Sequence, residues 1–434
     1  MKLSVIGTGY LGAVHAACMA ELGFTVVGID VDPAKIATLA SGKTPFFEPD
    51  FEPLLQRGIE SGRLTFSTDV ADLADADIHF VCVGTPQAAD SLAADTRYVD
   101  SAIDAIAKYG RAGSVVAGKS TVPVGTAARL QERLDAAAPG AFELAWNPEF
   151  LREGFAVKDT LHPDRIVIGV EGTKAEPVLR EVYASMLADN TPFLVTDFPT
   201  AELVKVAANA FLATKISFIN AMAEVCETVG GDVVALADAI GHDERIGRRF
   251  LNAGIGFGGG CLPKDIRAFQ ARAAELGVEE AVAFLRDVDD VNTRRRARVV
   301  DLAVEMLGGT VAGTKVAVLG GAFKPNSDDV RDSPALDIAD ALQKRGATVV
   351  LFDPEAIENA IKRFPDLQGA DSIEDAITDS DIVLHLTEWK VFRDIDPITA
   401  KAMAKRSLMI DGRNALDLVA WRAAGWTAKA LGRP

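Results

Sequence analysis

The sequence has few cysteines and histidines, and neither type is spaced as a ligand set requires. The four cysteines, Cys18, Cys82, Cys226 and Cys261, lie far apart along the 434 residues. Scattered single cysteines exclude a disulfide framework and a cysteine-rich zinc site, and they suit a reducing compartment. The five histidines show no ligand spacing either, so we predict no metal centre. We therefore expect a cytoplasmic protein.

The sequence also lacks a long apolar run and an excess of basic charge. No apolar stretch reaches the roughly 18 residues that a membrane span needs. The first residues are typical of a structural strand and not of a signal peptide. The net charge of −17 disfavours nucleic acid, because binding it usually needs a basic face. We expect neither a membrane nor a nucleic-acid partner.

The length and composition are those of a multidomain globular enzyme. A chain of 434 residues is too long for one core, and 49% hydrophobic with 25% charged residues is ordinary. Over the first 196 residues, helical stretches alternate with apolar strands at 78–83, 114–118, 142–146, 165–170 and 193–196. This alternation predicts a parallel, doubly wound sheet that binds its ligands outside the carboxyl ends of the strands.

A glycine-rich turn follows the first predicted strand. Residues 7–12 read Gly-Thr-Gly-Tyr-Leu-Gly, a G-x-G-x-x-G pattern, and lead into an alanine-rich helix from about Ala13 to Leu22. A second strand then ends at Asp30. Such glycines let the backbone approach a pyrophosphate at the helix N-terminus, and the acid holds the adenosine ribose. The pattern predicts NAD, in preference to NADP, and the alternative is a tight turn without a ligand.

Polar residues follow several of the predicted strands. Thr85, Thr121 and Glu149 come just past three strand ends, so we expect them to converge on the nicotinamide end of the cofactor. Glu149 and Glu153 are four residues apart, and by spacing alone they could form an ordinary charged helix face. Their place after a strand favours a functional role.

Apolar residues recur every three or four positions from Pro199 to Val229, which predicts one helix of about 30 residues. A helix of that length with little polar surface often joins domains or builds a subunit interface, so we expect a homodimer. Lys205 and Asn209 interrupt the apolar pattern on one helix face. A buried Lys205 could stabilise an oxyanion, whereas the alternative is a solvated surface lysine.

Cys261 is the candidate nucleophile. It follows the glycine-rich residues 256–260 and precedes a predicted helix from Pro263 to Leu276. A thiol at a helix N-terminus, with Lys264 close by, is a candidate for a lowered pKa and a reactive thiolate. Together with a nicotinamide cofactor, it suggests aldehyde oxidation through a thioester. Asp265 could take a proton from an attacking water, or it could simply complement the helix dipole.

The last third of the chain weakly repeats the winding of the first. Segments 315–320, 349–354 and 381–387 echo segments 2–7, 27–33 and 77–85. We therefore predict a second strand-helix-strand unit. It contains Gly320 and Gly321 but no complete fingerprint, so it need not hold a second dinucleotide. A nucleotide carried by the substrate is the natural alternative.

Motifs along nearly the whole chain resemble, in the same order, those of the UDP-glucose/GDP-mannose dehydrogenase family of nucleotide-sugar 6-dehydrogenases. They are residues 7–12, 82–86 (Cys-Val-Gly-Thr-Pro), 120–126 (Ser-Thr-Val-Pro-Val-Gly-Thr), 147–154 (Asn-Pro-Glu-Phe-Leu-Arg-Glu-Gly), 205–209, 256–265 and 411–413 (Asp-Gly-Arg). The resemblance implies an α/β fold with two Rossmann-like doubly wound domains, joined by a long central helix and a helical middle domain. The implied domains are an NAD-binding domain at 1–196, a helical dimerisation domain with Cys261 at 197–305, and a UDP-binding domain at 306–434.

The resemblance implies a four-electron oxidation of a sugar CH2OH to a carboxylate, with two NAD used in turn. The expected substrate is UDP-glucose. A sister activity on GDP-mannose or a UDP-N-acetyl sugar would use the same catalytic residues and stays open. An alternative of another class is a non-catalytic NAD-binding sensor or scaffold, which would not need the residues around Cys261.

The resemblance also assigns individual roles. Its catalytic positions are the nucleophile Cys261, the oxyanion holders Lys205 and Asn209, and Thr121, Glu149 and Asp265 for water and protons. Its cofactor positions are Gly7, Gly9, Tyr10, Leu11, Gly12, Asp30, Lys35, Thr85, Thr121, Glu153 and Arg331. Its substrate positions are Glu149, Phe150, Leu151, Lys205, Asn209, Arg245 from across the dimer, Phe257, Gly258, Phe323, Lys324 and Arg413. The chain departs from the family at Gly260, where many relatives have Ser, and at loop 89–95.

Overall fold

A computed structural model describes residues 1–434. The chain forms two compact units, one of Met1–Ala208 with Arg267–Glu279 and one of Asn209–Ile266 with Glu280–Pro434. Each unit contains one β-sheet flanked by helices. The predicted division into three domains at residues 196 and 305 stays a prediction.

The first unit is built around an eight-stranded sheet with the order β3-β2-β1-β4-β5-β6-β7-β8. Its strands are β1 (Lys2–Ile6), β2 (Thr25–Ile29), β3 (Leu64–Ser67), β4 (Ile78–Val81), β5 (Val115–Gly118), β6 (Glu143–Trp146), β7 (Ile166–Val170) and β8 (Phe193–Thr196). Its helices are α1 (Tyr10–Glu21), α2 (Pro33–Ala40), α3 (Phe51–Glu60), α4 (Arg97–Tyr109), α5 (Thr126–Ala137), α6 (Ala156–Leu161), α7 (Ala175–Val182) and α8 (Ala184–Ala188), with a 3-10 turn at Val70–Asp75.

The first sheet is parallel as predicted, except between β6 and β7, which run antiparallel. The backbone N–H groups of Gly154 and Ala156, in the connection between these strands, each donate to Glu48 at 2.6 Å. Glu48 also bonds the Tyr10 hydroxyl, beside the carboxyl end of β1. The connection is therefore held at the carboxyl edge of the sheet, and the chain re-enters the sheet from that edge.

Apolar side chains alternate between the two faces of this sheet, as expected for strands covered by helices on both sides. Leu3, Val5 and Phe80 belong to one buried cluster, whereas Ile6 and Val81 belong to another. The cores therefore lie above and below the sheet, and its carboxyl edge is left to irregular loops. This edge is where the sequence places the cofactor residues.

The second unit contains a six-stranded, all-parallel sheet with the order β11-β10-β9-β12-β13-β14. Its strands are β9 (Lys315–Leu319), β10 (Thr348–Phe352), β11 (Gln368–Gly369), β12 (Ile382–His385), β13 (Leu408–Asp411) and β14 (Thr427–Ala430). The remaining helices, in chain order, are α9 (Phe198–Val229), α10 (Val233–Gly241), α11 (Leu262–Glu275), α12 (Phe284–Met306), α13 (Pro334–Lys344), α14 (Ile357–Arg363), α15 (Ile373–Ile377), α16 (Lys390–Arg393), α17 (Pro397–Met403) and α18 (Leu418–Ala423), with a 3-10 turn at Glu279–Val282. The predicted second winding is confirmed.

Helix α9 begins one residue before the predicted start and ends at the predicted Val229. By length and composition alone it could cross a membrane, a test that the core helices of globular proteins also pass. Of its most apolar window, 44% is buried inside the protein. One of its buried polar residues, Ser217, donates its hydroxyl to the Val288 carbonyl at 2.7 Å. The expectation of no membrane partner stays a prediction.

Asp411 is a fully buried carboxylate at the end of β13. It accepts hydrogen bonds from His385 Nδ1 at 2.8 Å and from the backbone N–H groups of Arg413 at 3.0 Å and Leu416 at 2.8 Å. Burial opposes ionisation, but the donors outweigh it and hold the pKa of Asp411 below its ordinary value. The ionised carboxylate therefore stabilises the second unit.

Replacing Asp411 by Asn should lower the free energy of unfolding of the second unit by about 2–3 kcal/mol at pH 7. The carboxylate's contribution is present above its unfolded pKa of about 4 and is lost as the pH falls through the lower folded value. Urea unfolding can be followed by tryptophan fluorescence, because Trp389, Trp421 and Trp426 lie in this unit. The difference between variant and wild type should narrow between pH 7 and pH 3, and an undiminished difference would contradict this role.

Candidate active site

The glycine turn after β1 fits a dinucleotide pyrophosphate. Gly7 has a φ of +88°, and a Cβ atom on Gly12 would lie 1.8 Å from the Gly7 carbonyl oxygen. The space beside Gly9 is open, with nothing within 4 Å of a Cβ placed there. Helix α1 begins at Tyr10, three residues before the predicted start, with no side-chain cap and no acidic residue in its first turn. Its N-terminal N–H groups can therefore bind an anion.

Asp30, at the end of β2, is the residue predicted to hold the ribose. Its carboxylate accepts from the Thr8 N–H at 2.8 Å, Lys35 Nζ at 2.9 Å and the Asp32 N–H at 3.1 Å. Burial opposes ionisation, but the bonds from Lys35 and the two N–H groups outweigh it and hold the pKa of Asp30 below its ordinary value. The predicted cofactor residues Asp30 and Lys35 thus form an ion pair beside the glycine turn. An ionised carboxylate there suits ribose hydroxyls and repels a 2′-phosphate.

The two threonines predicted near the nicotinamide are joined directly. The Thr85 hydroxyl donates to the Thr121 carbonyl at 2.6 Å. The Ser120 hydroxyl donates to the Val83 carbonyl, also at 2.6 Å. The loops that follow β4 and β5 are therefore bonded to each other at the carboxyl edge of the sheet.

Glu202 of α9 fixes the start of α5, beyond the Thr121 loop. This side chain is buried, and it accepts from the N–H groups of Gly125 and Ala127, both at 2.7 Å. Burial raises the pKa of Glu202, and the hydrogen bonds offset only part of that effect. This residue was not predicted from the sequence, although an acid three positions before Lys205 in an apolar helix was an available signal.

Lys205 is buried, with 5% of its surface exposed, and its ammonium group donates to Glu149 Oε1 at 3.0 Å. The alternative of a solvated surface lysine was therefore wrong. Glu149 lies in the loop after β6, so the alternative of a charged helix face was wrong as well. Its other oxygen accepts from the Leu151 N–H at 2.6 Å, and Lys205 Nζ lies 5.7 Å from the centroid of the Phe150 ring. The structure thus brings these four predicted residues together.

The start of this loop is held by a buried lysine that the sequence analysis missed. Lys119 Nζ donates to Asn147 Oδ1 at 3.2 Å, and the Tyr183 hydroxyl donates to the same oxygen at 2.6 Å. The Asn147 side-chain amide donates to the Val167 carbonyl at 2.8 Å. With both ends of its side chain engaged, Asn147 fixes the turn that leads to Glu149.

In the second unit, Cys261 immediately precedes α11, and its side chain is exposed. One turn later, the buried Asp265 accepts from Asn209 Nδ2 and from Lys264 Nζ, both at 2.6 Å. A helix-dipole role alone does not account for a buried carboxylate with two side-chain donors. Asn209 of α9 and Lys264 therefore meet at Asp265, in the turn that follows the thiol.

The other three cysteines are buried. Burial raises the pKa of Cys18 and of Cys82 to about 12, so both are neutral thiols at physiological pH. Cys261 is the one exposed thiol of the chain. Its accessibility suits a nucleophile, and the burial of the others suits the inert role predicted for them.

The glycine-rich segment before Cys261 is held rigidly. The Phe257 N–H donates to Asn292 Oδ1 at 2.7 Å, and Asn292 Nδ2 donates back to the Phe257 carbonyl at 2.9 Å. A Cβ on Gly258 would lie 2.1 Å from the Asp332 carbonyl oxygen, so glycine is required there for close backbone approach. Asn292 lies on α12, and no local motif identified it.

Arg413 joins the glycine-rich segment to the other predicted substrate residues of this unit. Its guanidinium donates to the carbonyl oxygens of Leu386 at 2.8 Å, Gly256 at 2.9 Å and Phe323 at 3.1 Å. Lys324 Nζ lies 5.3 Å from the centroid of the Phe323 ring. The family resemblance assigns this guanidinium to substrate binding. In this structure the guanidinium also holds three backbone carbonyl groups in position.

The departure at Gly260 has a structural counterpart. A Cβ at Gly260 would lie 2.3 Å from Cζ of Arg331, so the arginine occupies the space that a serine side chain would need. Arg331 forms an ion pair with Asp329 at 2.7 Å.

The side chain of Arg245, the residue predicted to reach the partner's substrate, is 88% exposed. It pairs with the nearby Asp243 at 2.6 Å.

The predicted catalytic residues are distributed over both units. Thr121, Glu149 and Lys205 belong to the first, and Asn209, Cys261 and Asp265 belong to the second. Helix α9 carries Lys205 and Asn209 one turn apart. No group of three or more His, Cys, Asp or Glu side chains is arranged to hold a metal ion.

Known proteins match this chain over its full length. It is 41% identical to UDP-glucose 6-dehydrogenase TuaD of Bacillus subtilis over 437 residues, covering 100% of this chain and 93% of the relative. A solved UDP-glucose dehydrogenase from Pyrobaculum islandicum has a TM-score of 0.90 and 38% identity, with coverage of 100% and 98%. A UDP-D-ManNAc dehydrogenase from Pyrococcus horikoshii has a TM-score of 0.87 and 27% identity, with coverage of 100% and 99%.

Family sequence models match three successive parts of the chain. The NAD binding domain of the UDP-glucose/GDP-mannose dehydrogenase family matches residues 1–187, its central domain matches 199–294, and its UDP binding domain matches 317–418. The predicted family, fold class and NAD cofactor are confirmed. The chain belongs to the UDP-glucose/GDP-mannose dehydrogenase family.

Proposed function

We propose that this chain oxidises UDP-glucose to UDP-glucuronate, using two NAD in succession. The observation that carries the proposal is the exposed Cys261 thiol, followed one turn later by the buried Asn209–Asp265 pair. UDP-glucose is favoured because relatives named UDP-glucose 6-dehydrogenase match the full chain at about 41% identity. The matched UDP-D-ManNAc dehydrogenase is less similar, at 27% identity.

The reaction begins with oxidation of the sugar alcohol to an aldehyde. When bound, the nicotinamide accepts a hydride in each of the two oxidations. The hydroxyl also loses a proton, and the Lys205–Glu149 ion pair is suited to hold it because both side chains are largely shielded from solvent. The loop that carries Glu149, Phe150 and Leu151 would orient the sugar.

Cys261 then adds to the aldehyde. A bond forms between Sγ and the carbonyl carbon, and the carbonyl oxygen takes up a proton to give a thiohemiacetal. Loss of a second hydride and of the hydroxyl proton gives a thioester. Lys205 and Asn209, one turn apart on α9, are proposed to stabilise the negative charge on oxygen in the tetrahedral species.

Hydrolysis releases the product. Water attacks the thioester carbon, the carbon–sulfur bond breaks, and the thiolate of Cys261 leaves as the carboxylate forms. The water gives up two protons in all, one as it attacks and one as the new acid ionises. We assign the positioning of the water and the first proton transfer to Thr121, Glu149 and Asp265. Asp265 suits this role because two donors hold its carboxylate in one orientation.

NADH absorbance with a panel of nucleotide sugars tests the proposed function. UDP-glucose should give the highest kcat/KM and two NADH per sugar consumed, because both oxidations occur on one substrate. A preference for GDP-mannose or a UDP-N-acetyl sugar would instead establish a sister activity. No turnover with any of them would favour a non-catalytic NAD-binding protein.

Helix α9 supports a proposed homodimer or higher homo-oligomer. Phe211, Phe218 and Val225 recur every seven residues along one face of the helix and are 66%, 50% and 52% exposed. Large apolar side chains on one helical stripe favour burial against another protein surface, and a second copy of α9 offers a matching surface.

We also propose the three-domain division described above, and a cytoplasmic location on the basis of the scattered cysteines.

The carboxylate of Asp30 should make the enzyme prefer NAD over NADP by at least about 100-fold in kcat/KM, because it repels a 2′-phosphate. Replacing Asp30 by Ala should reduce the ratio of the two kcat/KM values, mainly by weakening the binding of NAD. Steady-state kinetics with both cofactors measures the ratio. Comparable wild-type values for the two cofactors would show that Asp30 does not face the ribose.

Replacing Glu149 by Gln removes its charge from both steps that move a proton. Hydrolysis also needs Glu149 to position the attacking water, so it should slow more than the oxidations. Rapid mixing should then show a burst near two NADH per active site, followed by slow turnover. Mass spectrometry of the quenched variant should find the sugar on the peptide that contains Cys261. Replacement of the exposed Glu132 by Gln is the matched control. Normal turnover, or a stall without the adduct, would contradict this role.

Arg245 is proposed to reach the substrate of the partner subunit, so two inactive variants should complement each other. When Cys261→Ser and Arg245→Ala chains are co-expressed equally, half of the dimers contain both, and one of their two sites is intact. Activity should therefore recover to about a quarter of the wild-type value. Light scattering should report a dimer or a larger oligomer at micromolar concentration. A monomer, or no recovery in the mixture, would contradict the shared site.

A further inference from the structure

Glu48 is a buried carboxylate outside every motif that the sequence analysis identified. It lies between α2 and α3, and 6% of its surface is exposed. One oxygen accepts from the Tyr10 hydroxyl and from the Gly154 N–H, and the other accepts from the Ala156 N–H. The two N–H groups are each 2.6 Å from their acceptor oxygens. One side chain thus binds two segments of the first unit that are distant in sequence.

The first of these segments is the glycine turn. Tyr10 follows Gly9 directly and is the first residue of α1, at the pyrophosphate site described above. Its ring lies 4.9 Å from that of Phe46, which in turn stacks on Phe51 at 5.4 Å. The tyrosine is therefore held from the ring side by aromatic packing and from the hydroxyl side by Glu48.

The second segment is the loop that carries Glu149. Gly154 ends the motif at residues 147–154, and its N–H donates both to Glu48 and, at 3.0 Å, to the Tyr10 hydroxyl. The first residue of this loop is fixed independently by Lys119 and Tyr183. The Glu48 contact therefore determines the position of the far end of the loop, and Tyr10 is part of that contact.

We propose that Glu48 and the Tyr10 hydroxyl are positioning groups that couple the cofactor site to the substrate loop, so that each ligand strengthens the binding of the other. The inference rests on the proposed function, because the loop at residues 147–154 is the proposed sugar contact. A ligand that binds at the first turn of α1 and orders it also fixes the position of the Tyr10 hydroxyl. The fixed hydroxyl then fixes Glu48 and Gly154, which lowers the cost of ordering the loop around the sugar.

Two features favour coupling over a passive cap of α6. The N–H groups of Gly154 and Ala156 already bond both carboxylate oxygens, whereas only the tyrosine connects the carboxylate to the glycine turn. Burial also raises the pKa of Glu48, and it raises the pKa of the Tyr10 phenol far above its ordinary value, so the phenol stays protonated and remains a donor. A passive cap would need only the N–H groups of Gly154 and Ala156.

The experiment measures NADH binding by fluorescence, with and without saturating UDP-glucose. The reduced cofactor cannot oxidise the sugar, so both ligands stay intact. The wild type should bind NADH roughly tenfold more tightly when UDP-glucose is present. Tyr10→Phe keeps the ring and its packing but removes the hydroxyl, and the ratio of the two dissociation constants should fall towards one. Glu48→Gln should lower the ratio in the same way.

The controls separate coupling from structural damage. Tyr109→Phe, at the far end of α4, should keep the wild-type ratio. If Glu48 only stabilises the fold, its variants should melt at a lower temperature and bind both ligands more weakly, with the ratio unchanged. An unchanged ratio in Tyr10→Phe, or a wild-type ratio of one, would overturn the proposal.

The outcome is independent of the test of the proposed function. A wild type that forms no NADH from UDP-glucose would refute that function, and the binding ratio would then be measured with the nucleotide sugar that it does oxidise. A wild type that oxidises UDP-glucose, with variants that keep its ratio, would refute only the coupling.

Discussion

Hydrogen bonds from loop N–H groups to buried carboxylates hold the functional loops of this protein in place. Asp30 binds the glycine turn, Glu202 binds the start of α5, and Glu48 binds the end of the Glu149 loop. A buried carboxylate is costly unless donors replace its water, and a loop N–H removed from water is costly unless it finds an acceptor. Each group therefore satisfies the other, and the irregular segments at the edge of the sheet acquire definite positions. Preorganisation of this kind is what the proposed stabilisation of charge on oxygen requires.

The two sheets differ in how the carboxylate after their second strand is bonded to loop N–H groups. Asp353 ends β10 as Asp30 ends β2, but its carboxylate accepts from the Gly321 and Ala322 N–H groups at 2.7 and 2.9 Å and from the Trp389 indole at 3.1 Å. Its other oxygen accepts from the N–H groups of two later residues, at 3.0 and 2.9 Å, and only 1% of the residue is exposed. A ribose could not reach it. The second unit thus retains the winding of a dinucleotide-binding sheet while its acid serves the fold, which agrees with the incomplete glycine fingerprint and with the match to a UDP binding domain.

Local patterns were enough to predict the glycine turn, the long helix and the helix after Cys261, because each depends on residues that are close in sequence. The pairs that build the site were less predictable. Lys205 meets Glu149, and Asn209 meets Asp265, in each case across 56 positions. Spacing along one helix therefore could not decide whether Lys205 was buried. Family resemblance named these four residues, but it did not name Glu48, whose bond to Gly154 spans 106 positions and holds the connection that makes β7 antiparallel. Such contacts leave no periodic trace in the sequence.

Covalent catalysis by Cys261 is the central claim, since the buried Asn209–Asp265 pair acquires a catalytic role only if a thioester forms on that thiol. The most direct test compares kcat/KM for UDP-glucose in Cys261→Ser and wild type, with NADH binding measured on both proteins. At neutral pH the serine hydroxyl stays protonated and is a poorer nucleophile than a thiolate, and an alkoxide is a poorer leaving group. Turnover should therefore fall by several orders of magnitude, on the scale seen when nucleophiles are removed, while NADH binding stays unchanged. Near-normal turnover in the serine variant would contradict the account.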